Sequence, residues 1–144
     1  MARTELGDII EQLVILERTV TGTKAAYVDT PENIASAPAW LNFPRSGELS
    51  AQTGWAEDRH TLACACVKRG ALKPADERLM RPMITRFPDV LHAHLTLGGT
   101  VAHIETIRYD YGLIEVLSTP DDWYFGVLFE VVVIVKDCPI TVST

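Results

Sequence analysis

The chain has 144 residues, 47% of them hydrophobic, and a formal net charge of −6. That length fits one domain with one core, and the acidic balance argues against a nucleic-acid-binding face or an anionic membrane surface. No apolar run reaches the roughly 20 residues of a spanning helix, and residues 1–8 lack the basic and apolar regions of a signal peptide. Three cysteines, an odd count, allow no complete disulfide framework and point to a reducing cytoplasm.

Residues 4–18 predict a helix. Thr4 is placed to cap it, and Glu5 and Asp8 sit where the helix dipole favours negative charge. Leu6, Ile9, Ile10, Leu13 and Leu16 recur at helical spacing. Val14 and Ile15 widen that face, so the helix is expected to be covered by two layers or partly by a neighbouring subunit. Residues 25–29 and 39–43 predict short strands, separated by a turn at Pro31. Pro38 and Pro44 bracket the second strand, as at a sheet edge. Residues 44–57 contain Pro44, Gly47 and Gly54 and predict a long loop or loose hairpin. Residues 59–69 alternate as a strand, with His60, Leu62, Cys64 and Cys66 on one face and Thr61, Ala63, Ala65 and Val67 on the other.

Pro74, followed by Asp76 and Glu77, opens a second helical pattern over 74–95. An interior proline costs about 3 kcal/mol, so Pro82 and Pro88 predict a kinked helix or two short helices in series. Gly98 and Gly99 end it. Residues 101–116 predict a strand with a bulge at Gly112, and 118–122 a turn. Residues 123–136 form the longest apolar run. Its odd positions, Phe125 to Val135, are all hydrophobic and predict a core strand face. On its even face Leu128, Val132 and Ile134 are expected to meet water in a lone subunit, and so to need a neighbour's cover. Residues 137–144 read as a tail beyond a domain of 1–136. The order predicts an α+β fold: a single mixed, mainly antiparallel β-sheet, two helices packed on one face, and a long C-terminal β-hairpin.

No catalytic, cofactor or metal signature emerges. Cys64 and Cys66 share a strand face, but a structural zinc site needs four ligands and no second pair exists. Buried core thiols explain them better. Cys138 follows the last core residues. His92 and His94, two apart on a helix, do not share a face, and His103 lies further on. A thiol–imidazole pair of His60 with Cys64 or Cys66 has no third group to orient it. No glycine-rich phosphate loop follows a strand. Trp40, Trp55 and Trp123 fit either core-end cover or interface anchors.

Several segments together resemble a known group. They are Asp76-Glu-Arg-Leu-Met-Arg-Pro-Met-Ile, Phe87-Pro-Asp-Val-Leu, Leu97-Gly-Gly-Thr-Val, Arg108-Tyr-Asp-Tyr-Gly and Tyr124-Phe-Gly-Val-Leu-Phe-Glu-Val-Val-Val. With Tyr27, Val28, Pro31 and 37–39, they look like the tail terminator (tail completion) proteins of long-tailed bacteriophages and related minor tail proteins, over roughly residues 6–136. The resemblance implies a structural protein of the virion, not an enzyme, assembled in the host cytoplasm. It implies a homo-hexameric ring that caps the head-proximal end of the tail tube, stops tube polymerisation and offers a surface for head–tail joining. Its partners would be further copies of itself, the tail tube protein and the head–tail connector or neck protein. DNA would only pass through the lumen, and an acidic lining would help it pass. No membrane, metal, cofactor or catalytic residue comes with the resemblance.

Composition and position assign contacts to Arg45, Glu48 and Trp55 in 44–57, to Asp121, Asp122 and Trp123 in the 118–124 turn, and to Leu128, Val132 and Ile134. Two other readings remain. One is a neck or head–tail connector adaptor ring. The other is a small cytosolic thiol enzyme using Cys64, Cys66 or Cys138.

Overall fold

The computed structural model describes residues 4–31, 34, 37–50 and 54–140, with the backbone alone at 54–56 and 137–140. The first element is α1, Leu6–Glu17. Its N-cap is Glu5, one residue past the expected Thr4, and the Glu5 side chain makes no capping bond. The widened apolar face is satisfied within the chain. Ile9, Ile10, Leu13, Val14 and Leu16 are all buried, and Ile15 alone of this set is exposed.

Among the described residues five strands make one sheet: β1 (Ala25–Tyr27), β2 (Ala39–Glu48), β3 (Gly54–Arg69), β4 (His103–Leu113) and β5 (Tyr124–Ile140). Their order is β1-β2-β3-β5-β4. Only β1 and β2 run parallel; the other pairs are antiparallel. The fold is thus the expected α+β architecture, with β4 and β5 as its long C-terminal hairpin.

Several local expectations are corrected. Residues 44–57 form no long loop: β2 and β3 extend through them as a hairpin. Pro44 lies inside β2, at a register shift before Ser46. The strand tolerates it there because β1 pairs only with Ala39–Leu41, so past that point no described strand lies along that side of β2 and the missing N–H breaks no described ladder bond. The bulge expected at Gly112 falls instead between Ile104 and Thr106, while Gly112 stays in register opposite Gly126. Strand β5 continues to Ile140 beside Gly54, so the first four residues of the expected tail belong to the sheet; 141–144 lie outside the described residues.

The 74–95 pattern resolves into two helices in series, α2 (Pro74–Met80) and α3 (Met83–His92). Pro82 is the N-cap of α3, where its missing N–H breaks the ladder between them. Pro88 is tolerated inside α3. Asp76 ties the start of α2 to the sheet, accepting hydrogen bonds from the Lys73 amide (2.8 Å) and Lys68 Nζ (2.6 Å). The chain then turns through Leu97, Gly98 and Gly99, all with positive φ, into β4.

All three helices cover one sheet face. There Leu62, Cys64 and Cys66 of β3 and the odd residues Val127–Val135 of β5 meet Ile9, Leu13, Met83, Phe87 and Leu91. At the centre Trp40, Phe87 and Phe129 form a ring cluster with centroids 4.5–5.8 Å apart. Trp40 is therefore core, and its Nε1–H donates to Thr23 Oγ1 at 2.9 Å. Replacing a buried aromatic by alanine costs about 3–5 kcal/mol. Phe87→Ala is expected to lose that much in urea unfolding, and a loss below about 1 kcal/mol would mean that this cluster is not the core's anchor.

The opposite face is half covered. A 3-10 turn, Glu115–Leu117, follows β4 where a continued strand was expected. With Ile114 it packs on Leu41, Ala63, Ala65, Val67 and Leu128. Small residues on β3 let this turn approach closely. Further along the same face the sheet carries polar side chains: Ser46, Glu48, Arg59, Thr61, Arg108 and Glu130.

Candidate functional site

Leu128, Val132 and Ile134 do not face water in the single chain. They are 8%, 1% and 6% exposed. Leu128 lies under Ile114 and the 3-10 turn. Val132 is flanked in register by Thr61 and Thr106, and Ile134 by Arg59 and His103. Arg59 Nε of β3 also reaches Glu105 Oε2 of β4 at 3.1 Å. Strand β5 lies between those two strands, so the ion pair must pass over it and roofs this stretch. The register shift at Glu105 supplies the extra residue that makes this contact. Neighbouring subunits are thus not needed to bury these three residues, and their alternation is no sign of assembly.

The remaining predicted contact residues fall into separate groups. Arg45 is exposed and lines a surface groove with Phe43, Pro44, Glu115 and Val116. Glu48, also exposed, shares another groove with Arg59 and Arg108. The backbone of Trp55 lies at the start of β3; its side chain is outside the described residues. Asp121, Asp122 and Trp123 border a third groove with Arg69 and Gly70. Asp122 pairs with Arg69, and Trp123, 55% exposed, accepts the Gly70 N–H through its carbonyl at 2.7 Å. Glu48 is in register with Arg59, whereas Trp123 stands beyond Arg69. At 3.3 Å per residue these groups lie on the order of 30 Å apart along the sheet. They are two surfaces, not one site.

Sequence reasoning missed a polar cluster beneath α1. Glu17 is fully buried at the last residue of that helix. Asn42 Nδ2 donates to Glu17 Oε1 at 2.7 Å and to the Tyr27 carbonyl at 3.1 Å. The Cys64 thiol stands against the same carboxyl. Glu17 Oε2 and Asn42 Oδ1 have no hydrogen-bond partner among the described residues. Burial pushes the Glu17 carboxyl up to about 8, and the Asn42 hydrogen bond only partly offsets this. The signal was available: Glu17 follows Leu13 by four residues and Ile10 by seven, which puts it on the apolar face.

Cys64 and Cys66 are wholly buried, and burial raises both thiols further above their ordinary range, with the Glu17 carboxylate adding to the effect. A nucleophilic cysteine needs the reverse, a lowered pKa and access. Cys66 Sγ–H lies 3.7 Å from Met80 Sδ, an ordinary core contact. His60 is four residues from Cys64 along an extended strand, roughly 13 Å away, so the pair cannot bond. The Cys138 side chain lies outside the described residues. Among the described residues no three His, Cys, Asp or Glu side chains converge as a metal site would require, and no helix is long and apolar enough to cross a membrane.

Against known proteins, the chain matches no family model and no curated protein sequence.

Proposed function

We propose that this chain is a structural subunit of a long-tailed phage virion, a tail terminator that closes into a ring at the head-proximal end of the tail tube. The five-segment resemblance over residues 6–136 carries this reading. The α+β fold is compatible with it, and no catalytic step is required. The two exposed groups at separate stations along the sheet, around Glu48 and around Trp123, would give a ring subunit contacts in two directions. Closure of the ring would keep such head-to-tail contacts finite.

The test is native mass spectrometry of the purified protein with and without tail tubes. Hexamers, or smaller species that form rings on tubes, are expected. Binding to portal complexes instead of tubes would replace this reading with a neck adaptor. A protein inert towards both would refute a role in the tail. Trp123→Ala should reduce ring formation while moving folding stability by no more than about 0.5 kcal/mol, because the indole is mostly outside the core. Equal ring yield from the variant would remove Trp123 from the interface.

A further inference from the structure

We propose that the free edge of β4 pairs with β4 of a second copy of this chain, antiparallel and in register about Tyr109. Strand β4 is an outer strand of the sheet and is 11 residues long. It carries neither proline nor lysine, the usual devices that blunt an edge, and its bulge lies near one end.

The backbone phase identifies what the edge offers. The Ile114 N–H donates to the Tyr124 carbonyl, and the register then runs unbroken from Gly112↔Gly126 to Thr106↔Val132. In an antiparallel ladder the direction of these groups alternates. Even residues from Thr106 to Gly112 therefore bond β5. Ile107, Tyr109 and Tyr111 point their N–H and C=O groups outward, and none of these groups bonds another described residue.

The side chains select both the occupant and the register. Arg108 and Asp110 are exposed on one face of the strand. On the other, Tyr109 is 55% exposed and Tyr111 is exposed as well. Centring a two-fold on Tyr109 sets Arg108 of each copy opposite Asp110 of the other. It also sets Tyr109 against Tyr109 and Ile107 against Tyr111, aromatic and β-branched cross-strand pairs of the favourable kind. Centring on residue 108 or 110 opposes like charges, and centring on 107 or 111 leaves both charges without a partner. The Tyr109 register also puts the outward-pointing residues opposite one another, so 107–111 of the two copies can exchange roughly six backbone hydrogen bonds. Such a contact is self-complementary and stops at two copies.

This pairing does not depend on the tail reading. Its test is sedimentation of the full chain over a concentration series, with Asp110→Arg and the double exchange Arg108→Asp/Asp110→Arg. Asp110 is in register with Leu128, whereas Arg108 is opposite Glu130, so the Asp110 change disturbs no charged cross-strand neighbour on β5. The unaltered chain should dimerise. Asp110→Arg should weaken the dimer at least about tenfold, since attraction becomes repulsion at two symmetry-related pairs. The double exchange should recover most of that loss. Hydrogen exchange of the Ile107, Tyr109 and Tyr111 amides should slow as the unaltered chain is concentrated, a readout that needs no variant. A monomer at every concentration, a dimer indifferent to Asp110→Arg, a folded double exchange that stays weak, or unchanged exchange of those amides would each overturn the proposal. Hexamers with freely exchanging β4 amides would support the ring and overturn this contact; edge-paired dimers that ignore tail tubes would do the reverse.

Discussion

Gly126→Ala is expected to cost at least about 3 kcal/mol, enough to leave a domain of this size marginal or unfolded. Gly126 sits in β5 between Val67 of β3 and Gly112 of β4, with φ at +155°. A Cβ there would overlap the carbonyl oxygen of Cys66, and would stand 3.0 Å from both the Cys66 carbonyl carbon and Val67 Cα. All three atoms are backbone of the central strand, so no side chain can swing away. Relief would require β3 and β5 to separate, and that pair buries most of both core faces. Gly112→Ala is the matching control. Its φ is +121°, but nothing lies within 4 Å of the added Cβ. It should lose only the backbone strain, on the order of 1–2 kcal/mol. Urea unfolding of the two variants measures the difference, and equal midpoints would mean that the close approach of β3 and β5 at Gly126 is not a constraint.

Glu17→Gln is expected to flatten the dependence of stability on pH and to stabilise the protein at pH 8. The carboxyl has an ordinary value of 4.5 and is raised to about 8 in the fold by burial. Between those values the folded state keeps a proton that the unfolded state has released. Stability from this group is therefore complete below about 4.5, falls as pH rises, and is gone once pH passes about 8. Glutamine keeps an oxygen to accept from Asn42 Nδ2 and cannot ionise. The gain at pH 8 should be on the order of 4 kcal/mol, since the carboxyl is raised from 4.5 to about 8 and each tenfold change in proton affinity corresponds to about 1.4 kcal/mol. Near pH 4 the two proteins should unfold at similar denaturant concentrations. A wild-type stability that is level from pH 5 to 8, or a variant less stable at pH 8, would show that Glu17 is not held neutral.

The same cluster shows where reading the chain runs out. The helical period places Glu17 with Leu13 and Ile10, but not beneath a strand. Asn42, 25 residues away, meets it only because β2 passes under the end of α1. Likewise the alternation of β4 is visible in the sequence as Tyr109, Tyr111 and Leu113. That this strand lies outermost is not visible, because periodicity records which face is apolar and says nothing about which neighbours lie alongside. Trp40 and Trp123 are alike as isolated aromatics in the sequence. Trp40 lies inside β2 on the helix-covered face and is the centre of the core, whereas Trp123 stands just before β5, outside the sheet, and stays on the surface.

Local chemistry was sufficient for much of the fold. The 3.6-residue period marked α1, the prolines broke the second helical pattern into α2 and α3, and the odd-position run marked β5. Each depends on backbone sterics or on alternation along one segment, and both are written in adjacent residues. The burial of Leu128, Val132 and Ile134 belongs to the other category. Their alternation alone destines them for water or for a neighbouring subunit. They are covered instead by the 3-10 turn after β4 and by side chains of the flanking strands, with Arg59 and Glu105 joined across β5. Those elements are separated from β5 by as many as about 75 residues of sequence, and long-range packing of that kind has no period to reveal it.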